Sequence, residues 1–284
     1  MTTASGAVPG TPPRVDCTID ADGRTVFTLR APATAASGGS PRLLLRLRPA
    51  KGQPEETTLA VDLTSLDEGR PRGVLESRTV LEEGRWDVFL VPDPSAPRVR
   101  LRPGLRDQRA LVDGYTRDWP SPVAVRVPYT TVDGYLALRT WLRTAHAEVE
   151  RIETTDRSMT VGARLHGVSL SGSACVLLRR RDVTRLTREV PARVEGDGRR
   201  FLFTVDYAEL AGDSPGGGVV WDVFARVRDG EGTAPVRVAR LLDDVADRKE
   251  VFVHPVAVVG GDAVRPYYTV DNDLSVEVRA AVSP

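Results

Sequence analysis

Residues 84–91 read GRWDVFLV, and residues 220–227 read VWDVFARV. The shared WDVF places Trp86 and Trp221 at matching points in two halves of a 284-residue chain. In an extended strand, neighbouring side chains point to opposite faces. Trp86, Val88 and Leu90 then share one face, and Asp87 and Phe89 the other. Trp221, Val223 and Ala225 repeat the first face in the second half. A tryptophan leading the same alternating strand twice is read as a repeated core anchor, so Trp86 and Trp221 are assigned to the structural core.

Further blocks repeat in the same order on either side of this stretch. Arg42-LLLRLR matches Cys175-VLLRRR, Val61-DLTSL matches Val205-DYAEL, and Val127-PYTTVDGYLAL matches Arg265-PYYTVDNDLSV. Arg14-VDCTIDADGR and Arg151-IETTDRS open the two halves. Collinear blocks of this kind mark an internal duplication. The expected organisation is a flexible tail over 1–13, one module over 14–145 and a second over 146–284. Short alternating runs separated by DADG, DPSAP, VDG and VDN turns predict strands. The fold class is therefore all-β, two tandem antiparallel immunoglobulin-like β-sandwich modules. Helical periodicity is short, with Trp141–Glu150 and Leu241–Glu250 as its best candidates.

Composition narrows the function. There are 39 basic and 39 acidic residues, for a formal net charge of zero, and every basic residue except Lys51 and Lys249 is arginine. Neutrality removes the long-range field that draws proteins to nucleic acid or anionic lipid. Arginine nevertheless offers a planar fork that suits carboxylate or phosphate. No apolar run approaches the roughly 18 residues needed to span a bilayer, and residues 1–14 lack the pattern of a secretory signal. Cys17 and Cys175 fall at non-equivalent places in the two halves, so a cytoplasmic, reduced chain is expected.

Catalytic motifs are scarce. Gly167-VSLSG lacks the second glycine of a nucleophile elbow. His146, His166 and His254 are scattered and show no metal-ligand spacing. No dinucleotide fingerprint or phosphate loop is present, and Gly216-Gly217-Gly218 is read as a hairpin loop. Asp271-Asn272-Asp273 has the D-x-D form with which glycosyltransferases hold a metal and nucleotide sugar, yet the same residues suit a tight hairpin turn. Catalytic, cofactor and metal residues are accordingly assigned to none.

Candidate binding residues come from the repeated P-Y-[TY]-T-V-D-[GN] motif. They are Tyr129 and Asp133 in the first half and Tyr267, Asp271 and Asp273 in the second, with Arg126 nearby in sequence. Arg98, Arg100 and Arg102 share one face of a strand, which permits a basic stripe able to grip phosphate or carboxylate. Pairing with Asp and Glu of neighbouring strands on a solvated face is the favoured reading.

At WDVF, Val-Arg-Leu and PYYTVDNDLSVEV the chain resembles actinobacterial immunoglobulin- or fibronectin-like modules. Such modules accompany transferases that build cell-wall glycopolymers of the teichoic-acid type. The resemblance implies a non-catalytic accessory protein that binds a partner enzyme or a carbohydrate in surface-polymer assembly. The alternative is a transferase acting on a sugar or anionic polymer, with a site between the modules lined by Arg126, Tyr267 and Asp271. Neither reading requires nucleic acid or membrane insertion, and a homo-oligomer is an outcome that light scattering would detect.

Overall fold

In a computed structural model of the chain, the described residues are 12–30, 40–49, 57–65, 70–114, 118–170, 174–182, 186–211, 218–227 and 234–281. The expected tail lies outside them apart from Pro12 and Pro13, as does the triple-glycine loop apart from Gly218. Strand accounts for 57% of the described residues and helix for 4%, which makes them nearly all β. Among the described residues, no helix is long and apolar enough to cross a membrane. The chain divides into unit 1, residues 1–116 and 124–142, and unit 2, residues 117–123 and 143–284.

Unit 1 contains β1 (Arg14–Ile19), β2 (Thr25–Leu29), β3 (Arg42–Leu47), β4 (Thr58–Asp62), β5 (Thr64–Ser65), β6 (Pro71–Leu75) and β7 (Gly84–Val91). It continues with β8 (Val99–Arg100), β9 (Arg102–Asp107), a one-turn helix α1 (Arg109–Asp113), β10 (Val123–Thr130) and β11 (Leu136–Arg143). One sheet runs β5-β6-β2-β1-β9 and the other β10-β11-β7-β3-β4, with β8 beside β7. Between them lies a core that includes Cys17, Phe27, Leu43, Leu45, Trp86, Val88, Leu101 and Leu138. The alternation read in β7 is what turns Trp86, Val88 and Leu90 into this core.

Unit 2 contains β12 (His146–Thr154), β13 (Ser158–His166), β14 (Cys175–Arg180), β15 (Thr187–Glu195), β16 (Arg200–Asp206), α2 (Ala208–Ala211) and β17 (Val219–Arg226). Four more strands follow: β18 (Val236–Ala239), β19 (Ala257–Val259), β20 (Asp262–Tyr268) and β21 (Leu274–Ala280). Here a ten-stranded sheet runs β14-β15-β16-β13-β12-β18-β17-β21-β20-β19, and a β14–β17 pairing closes seven of its strands into a barrel. Its core includes Val161, Phe201, Phe203, Trp221, Val223 and Tyr268.

The difference between two sheets and one closed sheet comes from strands that change layer. In unit 1, β4 pairs with β3 and β5 pairs with β6, with buried Leu63 at the crossing. In unit 2, β15 makes the crossing unbroken, pairing Thr187–Pro191 with β14 and Ala192–Glu195 with β16. Likewise β8 and β9 separate at Leu101, whereas β18 pairs with both β17 and β12.

Several expectations are corrected. The sheets are not wholly antiparallel, because β1 runs parallel to β9 and β12 parallel to β18. Trp141–Glu150 is not helical but contributes to β11 and β12, with His146 to Val149 buried in succession at the start of β12. Leu241–Glu250 is irregular, because buried Arg248 is tied to Asp243 and to the Arg240 carbonyl. The Val61 and Val205 blocks do not correspond: β4 pairs with β3, while β16 pairs with β13 and β15.

Each unit carries one cysteine, and neither is in a disulfide. Cys17 is fully buried in β1, and burial pushes its pKa up to about 12, whereas Cys175 is only half-buried.

Candidate functional site

The outward face of β7 holds a concentration of charge within unit 1. Asp87 is 4% exposed and sits opposite Arg46 of β3 and Ala137 of β11. Its carboxylate accepts hydrogen bonds from Arg46 (3.2 Å), Arg48 (2.7 Å) and Arg100 (3.2 Å). Burial pushes the Asp87 carboxyl up, but the hydrogen bond and charge of Arg48, with Arg46 and Arg100, outweigh it. The group is held below the usual carboxylate range. Arg100 also donates to Asp133 at 2.5 Å. Aromatic rings fill the spaces between these cations. Arg46 and Arg98 lie 5.1 and 5.0 Å from the Phe89 ring, and Arg100 and Arg102 lie 4.1 and 5.5 Å from the Tyr135 ring.

Unit 2 builds a related group on β17. Asp222 lies opposite Arg179 of β14 and Ser275 of β21. It accepts from Arg181 (2.6 Å), Arg237 (2.8 Å) and the Ser275 hydroxyl (2.8 Å). Burial again acts upward and is overcome, chiefly by the Arg181 hydrogen bond and the Arg237 charge, so Asp222 too is depressed. Arg179 and Arg237 flank the Phe224 ring at 5.1 and 4.8 Å. Asp222, Phe224, Arg179 and Arg237 stand in pairing positions like those of Asp87, Phe89, Arg46 and Arg100, although Phe89 is flanked by Arg46 and Arg98 and Arg100 lies on Tyr135 instead.

The repeated tyrosine motifs end in turns of one construction. In unit 1 the Thr131 amide donates to the Tyr135 carbonyl and the Gly134 amide to the Thr131 carbonyl; in unit 2 Thr269, Asp273 and Asn272 repeat both bonds. Gly134 has φ +82° and Asn272 φ +60°, the left-handed conformation that such a turn requires. Asn272 is fully buried, accepting from the Arg248 amide and donating to the Val245 carbonyl. Asp273 is ion-paired with Arg143 and Arg237, and Asp271 donates its amide to the Thr269 hydroxyl.

The other sequence candidates are placed differently. Arg126 is 8% exposed inside unit 1, where it donates to the Gly23 and Glu76 carbonyls, and desolvation lowers its pKa to about 10. It therefore has no surface from which to line a cleft. Tyr129 lies beside Arg85, and Tyr267 beside Arg181. His146 and His166, scattered in sequence, are cross-strand neighbours whose rings stack at 6.3 Å. His146 bonds Glu148 at 2.7 Å, and Glu148 accepts the Leu241 and Leu242 amides in a buried cluster. Among the described residues no group of three or more His, Cys, Asp or Glu side chains is arranged to hold a metal ion.

Asp87 and Asp222 are the residues that sequence reasoning passed over. The signal was present in WDVF: an aspartate follows the core tryptophan in both units, opposite an arginine of the neighbouring strand.

No family model matches the chain, and no curated protein matches it by sequence. Among solved structures, TarS from S. aureus is similar over 61% of this chain, with 16% identity and a TM-score of 0.39. A structure of TarS residues 217–571 is similar over 72%, with 14% identity and a TM-score of 0.40. The matched regions span 32% and 46% of those chains, so this chain corresponds to less than half of either.

Proposed function

We propose that this chain is a non-catalytic binding protein of two immunoglobulin-like β-sandwich modules derived by duplication. In this proposal the arginine–tyrosine face around Asp87 grips an anionic carbohydrate polymer. The carrying observation is Asp87 itself. One carboxylate orients three guanidinium groups on a rigid sheet, and a guanidinium has more N–H donors than one carboxylate can use. Arg48, whose side chain is 38% exposed, offers its outer donors to phosphate or carboxylate groups repeated along a polymer. The duplication is supported by the matching cross-strand neighbours of Asp87 and Asp222 and by the paired turns at Thr131 and Thr269. The immunoglobulin-like assignment is supported by strands that pass from one layer to the other and by the parallel first strand of each unit. The resemblance to modules that accompany surface-polymer transferases agrees in ligand class. A cytoplasmic setting accords with two cysteines that form no disulfide.

The test is titration calorimetry of the whole chain with poly(glycerol phosphate) and with neutral dextran. Binding of the anionic polymer alone is expected, weakening as salt is raised and falling at least about tenfold in an Arg48→Ala/Arg102→Ala variant. Equal binding of both polymers, or of neither, overturns the proposal. Turnover of a nucleotide sugar by the purified chain overturns its non-catalytic part.

A further inference from the structure

A second concavity lies wholly within unit 2 and shares no residue with the arginine face. Asp118, Trp119, Pro120, Ser121, Gly167, Val168, Ser169 and Arg199 enclose a cleft of about 540 Å³. Trp119 is half-buried in it, whereas Trp86, Trp141 and Trp221 are at most 2% exposed. Trp119 thus buries its Nε1 while part of the indole lines the cleft. The loop around it is well held. The Ser121 hydroxyl donates to the Thr144 carbonyl, and the Trp119 amide donates to His166 Nδ1 at 3.5 Å. Gly167, at φ +78°, admits no side chain, since a Cβ would stand 2.9 Å from the Thr144 carbonyl oxygen.

The polar groups beside the indole are of two kinds set close together. The Asp118 carboxylate accepts from Arg164 at 2.5 Å and Arg199 at 3.1 Å, yet its side chain remains 65% exposed, and that of Arg199 is 42% exposed. An acceptor and a planar donor fork side by side, in a pre-bonded pair, match the neighbouring hydroxyls of a sugar ring, which both donate and accept. The flat C–H face of a pyranose fits an indole, whose body is apolar and whose edge is polar. Few convergent polar groups on a partly apolar cleft is the usual build of a small-ligand site.

We propose that this cleft binds one pyranose ring of a carbohydrate, stacked on Trp119 and hydrogen-bonded by Asp118 and Arg199. The inference rests on the reading of the chain as a carbohydrate-binding protein but is independent of the arginine face. It also supplies what that face lacks, a contact that reads the sugar rather than its charge.

Trp119 is its own reporter, since the other indoles are shielded. The whole chain is titrated with cellotetraose, chitotetraose and maltotetraose, following tryptophan fluorescence and calorimetry. At least one sugar is expected to give a saturable change in both. Calorimetric binding is expected to disappear in Trp119→Ala and to weaken at least about tenfold in Asp118→Asn, with both variants melting cooperatively. Should Trp119→Ala fail to fold, Asp118→Asn and Arg199→Ala carry the test. Absence of saturable binding for all three sugars, or unchanged binding in the folded variants, overturns the proposal. Retention of poly(glycerol phosphate) binding by Trp119→Ala separates this failure from failure of the arginine-face reading.

Discussion

At Asp87, a carboxylate 4% exposed meets three arginines, and neither side of this arrangement is stable without the other. Replacing it by asparagine preserves shape but removes the charge that lets Arg46, Arg48 and Arg100 crowd together. Asp87→Asn is expected to lower unfolding free energy by about 2 kcal/mol in urea titration. The pH dependence has a defined sign. Because the folded carboxyl lies below its ordinary value, its contribution is complete above about pH 4 and is lost as pH falls through the folded pKa. The Asn variant should lack that acid-limb decline. From the sequence alone, alternation shows only that Asp87 faces away from Trp86. That Arg46, Arg48 and Arg100 converge there depends on the registers of β3 and β8 against β7, which no local pattern encodes.

Turns and strands differ in how plainly they can be read. The hairpin at Thr131–Tyr135 and its partner at Thr269–Asp273 are visible as D-G and D-N between alternating runs, because left-handed backbone demands those residues. Gly134→Ala, forced to φ +82° with ordinary space around its Cβ, should cost about 1 kcal/mol. Asn272→Ala should cost more, about 3 kcal/mol, since the buried Arg248 amide and Val245 carbonyl lose their partner as well. Asn272→Gly should fall between the two in thermal melts, because it keeps the backbone and loses only the side-chain bonds. Layer-crossing strands were not legible. Alternation looks the same whichever sheet a strand joins, so nothing in Thr187–Glu195 announces its passage from β14 to β16. The misread helix at Trp141–Glu150 has the same origin: short apolar runs fit either period until the neighbours are known.

For the molecule as a whole, the charge sum of zero hides an unequal distribution of titrating groups. All three histidines fall in unit 2. Burial, followed by the charges of His146 and Arg164, lowers His166 to about pKa 4. The unfolded chain therefore binds a proton there from about pH 6.5 downward while the folded unit does not. Stability of unit 2 should fall progressively from about pH 6.5 to 4. Hydrogen exchange should rise in β12 and β13 over that window, with β2 and β6 of unit 1 unchanged. A His166→Phe variant should flatten the response. The repeat of Trp86 and Trp221 was legible because a core anchor needs the same residue twice. The histidine pair was not, since residues 146 and 166 meet only through the register of one hairpin.

The single thiol in each unit has a kinetic meaning. Cys17 has no accessible surface and a thiol pKa of about 12, so an alkylating reagent at neutral pH waits for β1 to open. Cys175, half-buried in β14, belongs to the other unit. The rate at which Cys17 is modified thus becomes a clock for breathing of unit 1 alone, and its dependence on reagent concentration separates the opening step from the chemistry that follows.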